Sequence, residues 1–124
     1  MYKWRGLPPF DIESGVWQVI MMLSIAVCDD EIIECGNMAG RIKKILGDMK
    51  ISCMVRQYNS ARELLHASEK FDIVFLDIIM RDLDGMKAAH IFRKMAFDKI
   101  LIFVSSSREY VFEAYDVEAF HYLL

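Results

Sequence analysis

From Leu23 onward, short apolar runs alternate with longer amphipathic stretches, and this rhythm restricts the fold more than any other feature of the chain. The runs at 23–28, 51–57, 71–76, 99–104 and 119–124 read as strands, each short, rich in Val, Ile or Phe, and bounded by polar or turn residues. Helical patterning falls between them, near 31–47, 61–68, 86–95 and 108–115. In the first stretch Ile32, Ile33, Met38, Ile42, Ile45 and Leu46 recur at helical spacing, against the weakening effect of Gly36 and Gly40. In the second, Ser60 followed by Glu63 has the form of a capping box. Strand and helix alternation predicts an α/β fold, a doubly wound parallel sheet with helices on both faces. The pattern stops on a strand, without a fifth helix, so one face of the sheet is expected to keep apolar surface that a parallel sheet ordinarily covers.

Residues 1–21 precede the rhythm and contain the Pro8-Pro9 break. They form an N-terminal extension, either a tail or a short helix from about Asp11 to Met21, with 22–124 as the folded domain. Val16, Trp17, Val19 and Ile20 are the residues expected to pack over the uncovered face. Met21 or Met22 would also serve as a start for a domain of this size.

Composition narrows the class. The 124 residues are 55% apolar, enough for one domain with a real core. A net charge of −3 and the absence of a basic run give no basis for nucleic-acid contact, and Arg41, Lys43 and Lys44 read as the solvated face of a helix. Cys28, Cys35 and Cys53 show no CxxC spacing, which fits buried filler in a reducing cytoplasm better than zinc or a disulfide. The longest apolar patch, Val16 to Leu23, is too short for a membrane span and is interrupted by Gln18. His66, His90 and His121 lie on different elements.

The chemistry sits at strand ends. Asp29 and Asp30 follow the first run, Asp77 follows the third and Ser105 follows the fourth. In an open parallel sheet, strand ends of one polarity converge on a crevice, so these side chains should meet in a pocket for a hard cation. Mg²⁺ takes few carboxylates and fills its shell with water and phosphate oxygens; Asp30 and Asp77 would bind directly, with Asp29 reaching the ion through water. Crowded carboxylates raise one another's pKa, and a divalent cation relieves that repulsion. Asp77 is then a candidate nucleophile forming an acyl phosphate, with Ser105 bonding a phosphoryl oxygen. The plainer alternative makes Asp29 a helix cap and Ser105 an ordinary turn residue.

Three segments together resemble the receiver domain of bacterial two-component response regulators: Val27-Cys28-Asp29-Asp30-Glu31, Val74 to Met80 with Gly85, and Phe103-Val104-Ser105-Ser106. The resemblance covers about Met22 to Leu124. From Glu109 to Leu124 the wording is most similar to receivers that precede a LytTR-type DNA-binding domain. It implies a flavodoxin-like fold of five parallel strands, truncated before the last helix. It also implies that Asp77 accepts a phosphoryl group from a histidine kinase, with Asp29, Asp30 and the Ile79 backbone carbonyl completing the Mg²⁺ site. Ser105 would be the switch hydroxyl and Tyr122 the switch aromatic, reshaping a face with Tyr110, Phe112 and Tyr115 toward an output domain or dimer partner. The family's lysine would fall directly after Leu124, and its usual proline in the loop after the phosphoacceptor is replaced by Arg81. Ile79 and Ser107 stand where side chains help orient the water that removes the phosphate, which implies slow hydrolysis.

Two other functions compete. A haloacid-dehalogenase-like phosphatase uses the same strand-end aspartate but needs a second acid two residues later, where Ile79 cannot transfer a proton. A receiver-like interaction module that is never phosphorylated is the stronger rival. Neither GxGxxG nor GxxxxGK[ST] follows the first run, which disfavours a nucleotide site.

Overall fold

The computed structural model describes residues 10–11, 16–17, 22–67, 70–95 and 99–123. Strands β3 (Met22–Cys28), β4 (Ser52–Tyr58), β5 (Ile73–Asp77), β6 (Ile100–Val104) and β7 (His121–Leu123) alternate with α1 (Ile32–Asp48), α2 (Ala61–Leu65), α3 (Gly85–Met95) and α4 (Val111–Asp116). The five strands are all parallel, in the order β4-β3-β5-β6-β7. Chain direction across the sheet therefore reverses beside β3, which puts a switch point between β3 and β5, where open α/β sheets hold their ligands.

Each strand alternates its side chains between two cores, as the pleat requires. Ile25 and Val27 of β3 face α1, where Cys35, Ala39 and Ile42 complete a small cluster. Ala26 and Cys28 face the other way, joining Val74, Leu76, Leu101, Phe103 and residues of α2, α3 and α4 in the larger core. Three helices thus cover one face and α1 alone, among the described residues, covers the other. The expected apolar surface follows: on the α1 side Ile100 is 39% exposed and Ile102 and Val104 are only half-buried.

The helices start where local chemistry sets them. Ser60 caps α2, its hydroxyl accepting the Glu63 N–H at 3.1 Å. Asp84 Oδ1 accepts the Lys87 N–H at 2.8 Å at the start of α3. Gly36 and Gly40 lie within α1 without breaking it, because the face bearing Cys35, Ala39 and Ile42 is held by burial. After α1 the chain turns through Lys50 at φ 58°, with Ile51 N–H returning to the Leu46 carbonyl.

The N-terminal extension departs from the helical alternative. Strand β1 (Phe10–Asp11) pairs antiparallel with β2 (Val16–Trp17). Asp11, Val16 and Trp17 are therefore extended, consistent with the β preference of Val and Trp. Val19 and Ile20, and the side chains of Val16 and Trp17, lie outside the described residues, as does the expected packing over the sheet.

Candidate functional site

Register assembles the site. Cys28 lies opposite Leu76, so Asp29 and Asp77 are the next residues on adjacent strands. Asp77 lies opposite Val104, which sets Ser105 one step beyond it. Asp29, Asp30 and Asp77 each bring a carboxylate oxygen within 4.8 Å of the others, all three side chains half-buried. This is the convergence expected from the sequence.

Backbone hydrogen bonds hold the carboxylates in place. Asp29 N–H donates to the Tyr58 carbonyl at 3.0 Å, and Asn59 Nδ2 donates to the Asp29 carbonyl at 3.1 Å, fastening β3's end to the β4–α2 turn. Asp29 Oδ1 accepts the Glu31 N–H at 2.9 Å, a local turn just ahead of α1. The plainer reading of Asp29 thus holds in part, although the capping position itself is Glu31 and makes no side-chain cap. Ile79 N–H donates to Asp77 Oδ1 at 3.3 Å, and the Ile79 side chain points to solvent.

Gly85 fixes the other wall. Its N–H donates to the Ile78 carbonyl at 2.5 Å, which draws the start of α3 against the end of β5. A Cβ there would collide with the Asp77 carbonyl oxygen and lie 2.6 Å from Ile78 Cα, so only glycine fits.

The electrostatics single out Asp77. Burial, then the neighbouring Asp29 charge and to a lesser degree Asp30, push its pKa up to about 6, against the lowering effect of the Ile79 N–H. Repulsion of this kind among three convergent carboxylates is what a divalent cation relieves, and an all-oxygen donor set suits a hard ion. The residues present fit Mg²⁺.

Ser105 is 5% exposed. Its N–H donates to the Leu123 carbonyl at 2.9 Å and its hydroxyl accepts the Ser107 N–H at 3.1 Å. Tyr122 packs its ring 6.1 Å from that of Phe103 and donates its hydroxyl to the Ser107 carbonyl at 2.6 Å. Ser107 therefore stands between the two expected switch residues. Tyr110 packs against the core, whereas Phe112 and Tyr115 are exposed, which separates the three aromatics of that face.

Two partnerships have no signal in the sequence. Arg81, noted above only as a replacement for proline, donates its backbone N–H and its Nε to the same oxygen of Asp30, at 3.0 and 3.1 Å. A proline has no N–H to offer there. Asp82 accepts the Arg62 N–H at 3.3 Å. Against desolvation, backbone N–H groups including that of Arg62 hold its carboxyl below the ordinary value. The histidines stay apart, and Cys28, Cys35 and Cys53 are free thiols, the first two buried. Burial pushes the Cys28 thiol far up, so it is inert filler.

The parallel five-stranded sheet with an acidic pocket at its switch point defines a flavodoxin-like α/β domain, and comparison with known proteins gives its family. Residues 25–124 match the model of the response regulator receiver domain, and the chain belongs to that family. The sensory transduction protein LytT of Bacillus anthracis is 31% identical over 106 residues, covering 83% of this chain and 41% of that protein. The chain thus spans about two fifths of the length of such relatives. LytT of Bacillus subtilis is 24% identical over 82% of this chain and 42% of that protein. These matches accord with the likeness to LytTR-associated receivers. Among solved structures, TrrA of Thermotoga maritima in complex with Mg²⁺-BeF is 26% identical, with TM-score 0.67, over 83% of this chain and 86% of that one. The Francisella response regulator 1452 receiver domain is 25% identical, with TM-score 0.61, over 82% of each chain. Among the described residues no helix is long and apolar enough to cross a membrane.

Proposed function

We propose that this receiver domain accepts a phosphoryl group from the phosphohistidine of a sensor histidine kinase onto Asp77, in the cytoplasm. The observation that carries the reading is the cluster of Asp29, Asp30 and Asp77 within 4.8 Å at a parallel-sheet switch point. Asp29, Asp30, Asp77 and the Ile79 carbonyl would hold Mg²⁺, and the ion, when bound, screens the phosphoryl oxygens from the carboxylates. An Asp77 carboxylate oxygen attacks phosphorus, the bond to the histidine nitrogen breaks, and the released imidazole keeps the electron pair and takes a proton. Without metal Asp77 titrates near 6 and is mostly ionised at neutral pH, and a bound cation would favour the ionised, nucleophilic form further. Ser105 donates its hydroxyl to the new phosphoryl oxygens, and its movement passes to Tyr122 through Ser107.

The longer protein is read as a transcriptional regulator, by analogy with the Escherichia coli relative named transcriptional regulatory protein YpdB, which is 34% identical over 55 residues. In that reading DNA is bound by an output domain and not by this segment, whose partners are the kinase and the output domain or a second receiver. Intact mass after incubation with Mg²⁺ and acetyl phosphate tests the proposal: one added phosphoryl group, absent from Asp77→Asn, is expected. Folded protein that stays unmodified would favour the unphosphorylated interaction module. Arg81 bonded to Asp30 is the one observation on that module's side.

A further inference from the structure

Arg81 occupies a position from which it can regulate the acidic pocket. Its loop is pinned on both sides, by the Gly85 N–H on the Ile78 carbonyl and by Asp82 on the Arg62 N–H. The Arg81 backbone N–H is therefore held against Asp30 Oδ2, while Nε makes a second bond to the same oxygen at 3.1 Å. The two partners differ in environment: the Asp30 side chain is 14% exposed and the Arg81 side chain 86% exposed. The carboxylate lies inside the pocket, and the guanidinium is an exposed cap on its rim.

We infer that Arg81 is an internal counter-ion that competes with the divalent cation for Asp30 and thereby sets the metal affinity of the pocket. The inference rests on the Mg²⁺ site proposed above. A cation entering the pocket has to share Asp30 with a guanidinium of like charge or displace it. Displacement is inexpensive, because an exposed ion pair is weak and the arginine can return to water. A proline at this position would offer neither the N–H nor the charge, so the chain has introduced a restraint on metal binding.

The test is a Mg²⁺ titration of the whole chain by calorimetry, repeated with Mn²⁺ by following the free-ion spin-resonance signal. Wild type is compared with Arg81→Gln, which removes the charge, and Arg81→Lys, which keeps it; thermal unfolding checks that both fold. At low ionic strength Arg81→Gln is expected to bind about three- to tenfold tighter, from the loss of one exposed ion pair and one like charge nearby. The gap should shrink in 0.5 M salt, where screening is about fourfold shorter in range than at 0.03 M, and Arg81→Lys should stay near wild type. Equal affinity of wild type and Arg81→Gln at low salt would overturn the inference while leaving the metal site standing. Folded wild type that binds neither ion would overturn both.

Discussion

Asp77→Asn should make the metal-free protein more stable, with a pH dependence that identifies the cause. In the folded chain the Asp77 carboxyl titrates near 6, against an ordinary 3.8, because burial and the Asp29 charge oppose its ionisation. Between these two values the folded state holds a proton that the unfolded state has released. Stability contributed by Asp77 therefore falls as pH rises from about 4 to about 6, and the full penalty is present above that window. A displacement of about two pH units is worth about 3 kcal/mol at full strength. Because the side chain is only half-buried, solvent screening reduces this to about 1–2 kcal/mol. Asn has nearly the same shape and no charge, so Asp77→Asn removes the penalty with little change in packing. Urea unfolding in EDTA, followed by circular dichroism at half-unit intervals from pH 4 to pH 8, gives the difference between mutant and wild type. That difference should be near zero at pH 4 and reach its plateau above pH 6.5. Added Mg²⁺ should then close most of the gap by stabilising wild type alone. A difference that is flat with pH, or of the opposite sign at pH 7.5, would refute the electrostatic account of the pocket.

Gly85→Ala should cost at least about 2 kcal/mol, since the clash is with backbone of Asp77 and Ile78 and not with a side chain that can move aside; a thermal melt indistinguishable from wild type would contradict it. Arg93 reaches from α3 to the carbonyls of Val117, Lys99 and Glu118 at 2.7, 2.6 and 3.2 Å, so Arg93→Gln is expected to lose about 1–3 kcal/mol in urea unfolding. Once phosphorylated, the protein should lose phosphate slowly in Mg²⁺. The Ile79 side chain cannot hydrogen-bond to water, and the Ser107 hydroxyl already accepts the Glu109 N–H at 3.1 Å. Ile79→Asn should shorten the lifetime several-fold by phosphate release, and rapid loss from wild type would sink the idea.

The strands and helices were legible because their signals are local. Among the described residues, the five strands of the large sheet and the four helices lie where apolar runs and amphipathic spacing put them, with the ends moved by a residue or a few. Helix α2 shows the limit: patterning extends to residue 68, but the helix stops at Leu65, with His66 at its C-terminal cap. Periodicity marks an apolar face, and it does not say where the hydrogen bonds run out. The carboxylate pocket was legible for a different reason. Once the sheet is parallel, the strand ends that carry Asp29, Asp77 and Ser105 have no choice but to converge. Strand order was not legible in this way, since nothing in the runs states that β3 lies between β4 and β5.

What stayed hidden depends on pairs far apart in sequence that carry no shared pattern. Arg81 and Asp30 are 51 residues apart, and Arg93 and Val117 are 24 apart. An arginine in a polar loop reads as a solvated charge, and most such arginines are. Arg93 is different because its stem lies in the half-buried seam between α3 and the α4–β7 turn, where carbonyls at the end of α4 have no helical partner left. Glu118 adds a second demand at that turn, with φ at 52°, a conformation that costs a non-glycine residue energy. Fastening this turn with one guanidinium also fixes where β7 begins, and with it the Tyr122 hydroxyl on the Ser107 carbonyl. The ring at the far edge of the sheet is thus positioned by a residue that neither touches it nor shares its strand. The pocket is held more locally, by the Gly85 N–H on the Ile78 carbonyl, which packs the start of α3 directly against the Asp77 backbone. In both places one loop contact converts a sheet that many sequences could form into a site with defined geometry.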